Sequence, residues 1–246
     1  MAISTVGVAK AVFSLLGCSM LVFLIYTIIT DGSPFRSEIF TPWLVATVID
    51  FYINVIAISV WVAHKEYSVI GAIIWIVLLI CLGSVTTCTY VVLQLCNISS
   101  RDPAQYLMYN VLVQHGAEND TTERKCPCIV IGRIAFGILG CIMLATLVYT
   151  LSIDGLPFRK ELATPWMVVT LIDFYINVSV ISTWVSYKET NWLSALIWIV
   201  FFICLGSLTT CVYIVIQLFK LSSEDPLYHV YAESPRKQVR RTSSSS

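Results

Sequence analysis

Apolar residues run along this chain in long unbroken blocks, not in the stripes of an amphipathic helix or the alternation of a half-buried strand. Six blocks stand out, at roughly 10–30, 43–62, 69–95, 129–153, 166–186 and 192–220. Each is near the length of about 20 residues that spans a bilayer core of about 30 Å. The pattern predicts an all-α fold, a polytopic transmembrane bundle of six spans. The first block has no basic stretch before it, and its apolar core is too long for a signal peptide. It is expected to be a retained helix.

A second regularity lies over the first. Shifted by 123 residues, Lys10–Pro103 aligns with Arg133–Pro226 without a gap, and 54 of the 94 pairs are identical. "DGSPFRSEIFTPW" at 31–43 meets "DGLPFRKELATPW" at 154–166, and "IDFYINV" occurs at 49–55 and again at 172–178. Such self-similarity implies duplication of a three-helix unit. The domains expected are a first repeat at 1–103, a polar linker at 104–127, a second repeat at 128–226 and a disordered basic, Ser-rich tail at 227–246. Three crossings per copy would bring the second copy in upside down, so inverted repeats are expected, a plan common among secondary transporters.

Composition agrees with the membrane class: 57% of residues are hydrophobic, 12% are charged, and the mean hydropathy is +0.81. Fifteen basic residues balance fifteen acidic ones, which gives no field for nucleic acid. The expected partners are the lipid bilayer, a proton or small cation, and an unknown solute; a homo-oligomer is compatible with the sequence. Both termini are expected in the cytosol of a plasma-membrane or endomembrane protein. Asn119, in Asn-Asp-Thr, is a glycosylation acceptor in the linker.

The second block of each copy carries the chemistry. Thr41-Pro42 and Thr164-Pro165 are good helix starts, a capping hydroxyl followed by proline at the first helical position. Trp43 and Trp61 are about 27 Å apart along a helix, the spacing of two interfacial belts. Asp50 and Asn54 then fall near mid-depth, as do Asp173 and Asn177 between Trp166 and Trp184. A central aspartate opposes insertion by about 2.5–3.5 kcal/mol, which nearly cancels the apolar gain of the rest of the helix. No lysine or arginine lies in the interior of a block to pair with it; Lys10 and Arg133 sit at the starts of the first and fourth.

The remaining partners are hydroxyls and amides on the third block, where Gly83, Thr87, Tyr90 and Gln94 share a face, as do Gly206, Thr210, Tyr213 and Gln217. Two readings follow. Asp50 and Asp173 are proton or cation sites, with Asn54, Asn177, Thr87, Tyr90, Thr210 and Tyr213 as ligand hydrogen-bonders; or the Asp–Asn pairs are interhelical glue. The inverted geometry would bring Asp50 and Asp173 together as a coupled pair.

The connectors offer a second candidate. Asp31, Arg36 and Glu38, with Asp154, Arg159 and Glu161, are turn chemistry or a pair of gates, one per face. No catalytic motif, metal set or cofactor loop occurs, so an enzyme is not expected and neither is a cofactor.

At "DGLPFRKELATPWMVVTLIDFYINV" the chain resembles a family of plant multi-pass membrane proteins known only as a domain of unknown function. The resemblance covers nearly the whole chain, both copies included, and implies an integral membrane protein with no activity or site residue to carry over. The expected function is a small secondary transporter or channel-like protein; the alternative is a non-transporting membrane scaffold or assembly protein.

Overall fold

The computed structural model describes residues 2–34, 36, 39–66, 68–97, 125–157, 159–189 and 191–220. Among them are eight α-helices and no strand: α1 (Ala2–Asp31), α2 (Pro42–Lys65), α3 (Val69–Leu82), α4 (Ser84–Asn97), α5 (Lys125–Asp154), α6 (Pro165–Lys188), α7 (Trp192–Leu205) and α8 (Ser207–Lys220). A 3-10 turn at Lys160–Leu162 precedes α6. The starts are those that local chemistry dictates. Thr41 caps α2 by accepting from Leu44 N at 3.2 Å, and Thr164 caps α6 from Met167 N at 3.3 Å, each followed by proline. Ser68 and Asn191 cap α3 and α7 in the same way.

Four helices, α1, α2, α5 and α6, are long and apolar enough to cross a membrane. The third and sixth apolar blocks do not form single spans. Each breaks at a glycine, Gly83 or Gly206, with φ of +53° or +58°. The chain then folds back on itself. Thr86 Oγ1 donates to Leu78 O at 2.9 Å, and the Trp75 and Tyr90 ring centroids are 5.0 Å apart. In a continuous helix those two rings would be about 22 Å apart. Thr209 with Phe201 O, and Trp198 with Tyr213, repeat the contacts at the second break. Helices α3–α4 and α7–α8 are therefore helical hairpins. Each arm has 14 residues, about 21 Å of helix, too short for a bilayer core of about 30 Å.

The hairpins reverse the expected topology. Trp43 and Leu44 at the start of α2 pack with Trp166 and Met167 at the start of α6, and Thr47 Oγ1 lies 3.7 Å from Met167 Sδ. At the other ends of the two helices, Trp61 and Val62 share a cluster with Val185 and Trp184. The central helices run side by side in the same direction. Ala9 and Phe13 of α1 pack at that second end beside Leu95 of α4, and Ile129 of α5 joins Leu218 of α8. Each half starts at one end of the bundle, crosses, returns, dips and comes back to where it started. We call this the terminal end. The expectation of six spans with inverted halves is thus corrected to four long helices and two hairpins with the halves parallel. Parity fails because a broken helix contributes no crossing.

The outer faces of α1, α3, α5 and α7 stay apolar and exposed, with Leu15, Ile29, Val69, Ile70, Ile131 and Trp192 pointing outward. A belt of this extent is what a helical bundle presents to lipid.

Candidate functional site

Gly83 and Gly206 sit at the N-cap positions of α4 and α8, and glycine brings no side-chain oxygen to a cap. The acceptor comes instead from the opposite half of the chain. Ser84 N donates to Asp173 Oδ1 at 2.7 Å, and Ser207 N donates to Asp50 Oδ1 at 2.6 Å. A carboxylate there meets both the orphan N–H groups of a first turn and the positive end of the helix dipole. One turn further on, Thr87 Oγ1 donates to Asn177 Oδ1, and Thr210 Oγ1 to Asn54 Oδ1, both at 2.8 Å. The two asparagines are fully enclosed, 0% exposed, and the aspartates are partly buried. Neither asparagine Nδ2 has a partner.

The carboxylates thus serve two separate hairpin tips, and each half completes the other. The glycine is part of the fit: a Cβ on Gly206 would lie 2.7 Å from Asp50 Oδ1, and one on Gly83 would lie 2.7 Å from Phe51 Cζ. Each carboxylate occupies the hollow that the missing side chain leaves.

At its root each hairpin is held by its own half. Tyr90 OH donates to Glu66 Oε1 at 2.9 Å, and Tyr213 OH to Glu189 Oε1 at 3.0 Å. Gln94 and Gln217 bond the same phenols. Both rings stand edge-on to two tryptophans, Trp61 and Trp75 or Trp184 and Trp198.

The structure therefore brings Asp50, Asn54 and Thr210 to one tip and Asp173, Asn177 and Thr87 to the other. Tyr90 and Tyr213 lie apart from the tips, at the roots. Sequence reasoning missed Ser84, Ser207, Glu66 and Glu189. Their signal was present, since Gly-Ser opens the second arm of each hairpin and Lys-Glu closes both central helices at matching positions.

The connector residues form local pairs. Arg36 bonds Asp31 Oδ1 at 3.0 Å, and Arg159 bonds Asp154; Glu161 is exposed on its 3-10 turn. Glu38 and Asn119 lie outside the described residues. Trp43 Nε1 donates to Gly155 O at 3.2 Å, and Ile39 and Leu162 share a cluster. Both connectors are thus at the end opposite the terminal end, and the expectation of one gate per face is overturned by the parallel halves.

Fold and site together define a protein whose described residues are helical, with four helices apolar enough to cross a membrane and an enclosed asparagine–threonine pair at each of two hairpin tips. The chain belongs to the family described as "Protein of unknown function (DUF1475)", whose model matches residues 1–238. Comparison with curated proteins and with solved structures gave no match.

Proposed function

We propose that this is a small membrane carrier or channel-like protein in which Asp50 and Asp173 are protonation sites that hold or release the hairpin tips. The observation that carries the reading is the reciprocal capping, Asp50 on Ser207 N and Asp173 on Ser84 N. Non-helical backbone at membrane depth is tolerated only where it is buried in protein or lines a water-filled cavity. Broken helices with their ends at mid-depth are a recurring way to build a transport site. An ionised aspartate holds a tip by charge and hydrogen bond; a protonated one loses the charge and weakens the hold.

In this reading the two halves descend from a duplicated unit and are related by a twofold along the membrane normal. The described basic residues at the terminal end are Lys10, Lys65, Lys125, Arg133, Lys188 and Lys220, against Arg36, Arg159 and Lys160 at the other. In this reading the positive-inside bias favours the cytosol for the terminal end.

A scaffold is the second reading, favoured by the fact that the first N–H of each tip is already capped within the chain. Asp50→Asn with Asp173→Asn separates the two, because asparagine still caps a helix but carries no ionisable proton. The measurement is uptake of a panel of labelled solutes by proteoliposomes under an imposed pH gradient. A carrier moves at least one solute faster than empty vesicles do, and the folded double variant does not. Equal flux in protein-containing and empty vesicles would leave the scaffold.

A further inference from the structure

The tips have more donors than the carboxylates use. Asp50 accepts from Ser207 N, the first N–H of a 14-residue helix. Beside it, Asn54 Oδ1 is bound to Thr210 in the first turn of that helix, which presses the amide against the turn. Its Nδ2 is enclosed and has no partner. Asp173, Asn177, Thr87 and Ser84 reproduce every element of this at α4. An enclosed amide with an unpartnered Nδ2, held against the first turn of a helix, adds donors beside a helix N-terminus, a setting that favours an acceptor carrying negative charge. Among the described residues, the charged acceptor at each tip is an aspartate of the opposite half.

We propose that each hairpin tip is a binding site for one small monovalent oxyanion, a carboxylate or its inorganic analogue, which takes the place of Asp50 or Asp173 when that aspartate is protonated. The proposal rests on the carrier reading above and names its substrate class. The charge balance is simple. The tip holds one negative charge in either state, an ionised aspartate alone or a neutral aspartic acid plus a bound anion, so each anion that binds is matched by one proton taken up.

The titratable side chains interacting with the carboxylates are Cys211 of α8 and Tyr175 of α6 at Asp50, and Cys88 of α4 at Asp173. These are a thiol, a phenol and a thiol, uncharged at ordinary pH. The sequence from Trp43 to Trp61 and from Trp166 to Trp184 holds no lysine, arginine or histidine. The pH dependence of anion binding therefore belongs to the aspartates. Binding is present when they are protonated and is lost as rising pH ionises them.

The test uses the full-length purified protein and follows thermal unfolding against sodium nitrate and sodium formate, at about pH 5 and about pH 8. Total sodium is held constant with a bulky buffer anion. The apparent affinity of the wild type for at least one anion is expected to be tenfold or more tighter at the lower pH. Preference for formate assigns a carboxylate, and preference for nitrate an inorganic oxyanion.

Asp50→Asn with Asp173→Asn is expected to bind equally well at both pH values, as tightly as the wild type at low pH. Asn54→Leu with Asn177→Leu is expected to lose binding. If that pair does not fold, Asn54→Asp with Asn177→Asp keeps the shape and repels the anion. The same shift in the asparagine variants means an adventitious ion only and overturns the proposal. Binding by the wild type that is equal at both pH values or tighter at the higher one also overturns it, as does no binding by the aspartate double variant. Anion binding without solute flux would sink the carrier reading and keep the site; flux of a cation or neutral solute without anion binding would do the reverse.

Discussion

Gly83 and Gly206 are where single residues decide most. Each has positive φ, a region that L side chains rarely adopt, and each leaves the hollow that an aspartate from the other half fills. Gly83→Ala or Gly206→Ala strains the backbone by about 1–3 kcal/mol. It also drives a methyl group against a carboxylate or a ring, with an overpacking cost of about 1–3 kcal/mol. The melting temperature in detergent is expected to fall clearly for either variant. Gly137→Ala is the control: nothing lies within 4 Å of the position its Cβ would take, so it should be neutral or stabilising. The aspartates were legible from sequence as residues in need of a partner. Hydroxyl-bearing residues of the third block were legible as candidates, because Thr87 and Thr210 share a helical face with Tyr90 and Tyr213. That a backbone N–H would take the carboxylate was not legible, since a continuous helix has no free N–H at mid-length.

Among the elements, the hairpins are the ones that sequence pattern misjudged. Residues 69–95 read as one apolar run because glycine inside a helix costs only about 1 kcal/mol and does not by itself signal a reversal. The reversal is fixed by contacts distant in sequence: Asp173 at the tip and Glu66 at the root of the first hairpin, Asp50 and Glu189 for the second. Tyr90→Phe with Tyr213→Phe keeps both rings and removes the root bonds to the carboxylates. A hydrogen bond to a charged group is worth about 1.5–3 kcal/mol. Hydrogen exchange in α4 and α8 should accelerate by tenfold or more, while α2 and α6 change little. Uniform acceleration throughout the bundle would show that the hairpins do not open as separate units.

For the whole molecule, the decisive consequence is sidedness. Parallel halves put the 31–41 and 154–164 connectors at one end of the bundle, with Lys65, Lys188 and the close of α4 and α8 at the other. Single cysteines placed at Ser33 and Leu156 in a cysteine-free variant should both react with an impermeant reagent from the same side of sealed vesicles. A cysteine at His64 should react only from the other. Labelling of the two connectors from opposite sides would contradict the parallel arrangement and with it the twofold along the membrane normal.

The amino-acid sequence by itself determined the helical class, the starts of the central helices, the self-similarity at a shift of 123 residues and the identity of the polar residues in the central helices. All of these depend on runs of neighbouring residues or on caps within one turn. Only the tertiary structure decided whether each third block continues or turns back. Both paths keep every apolar side chain out of water, and the difference lies in one N–H bond from the opposite half and one phenol bond at the root. That choice sets the number of crossings. The number of crossings sets the relative direction of the halves, and through it which carboxylate meets which helix.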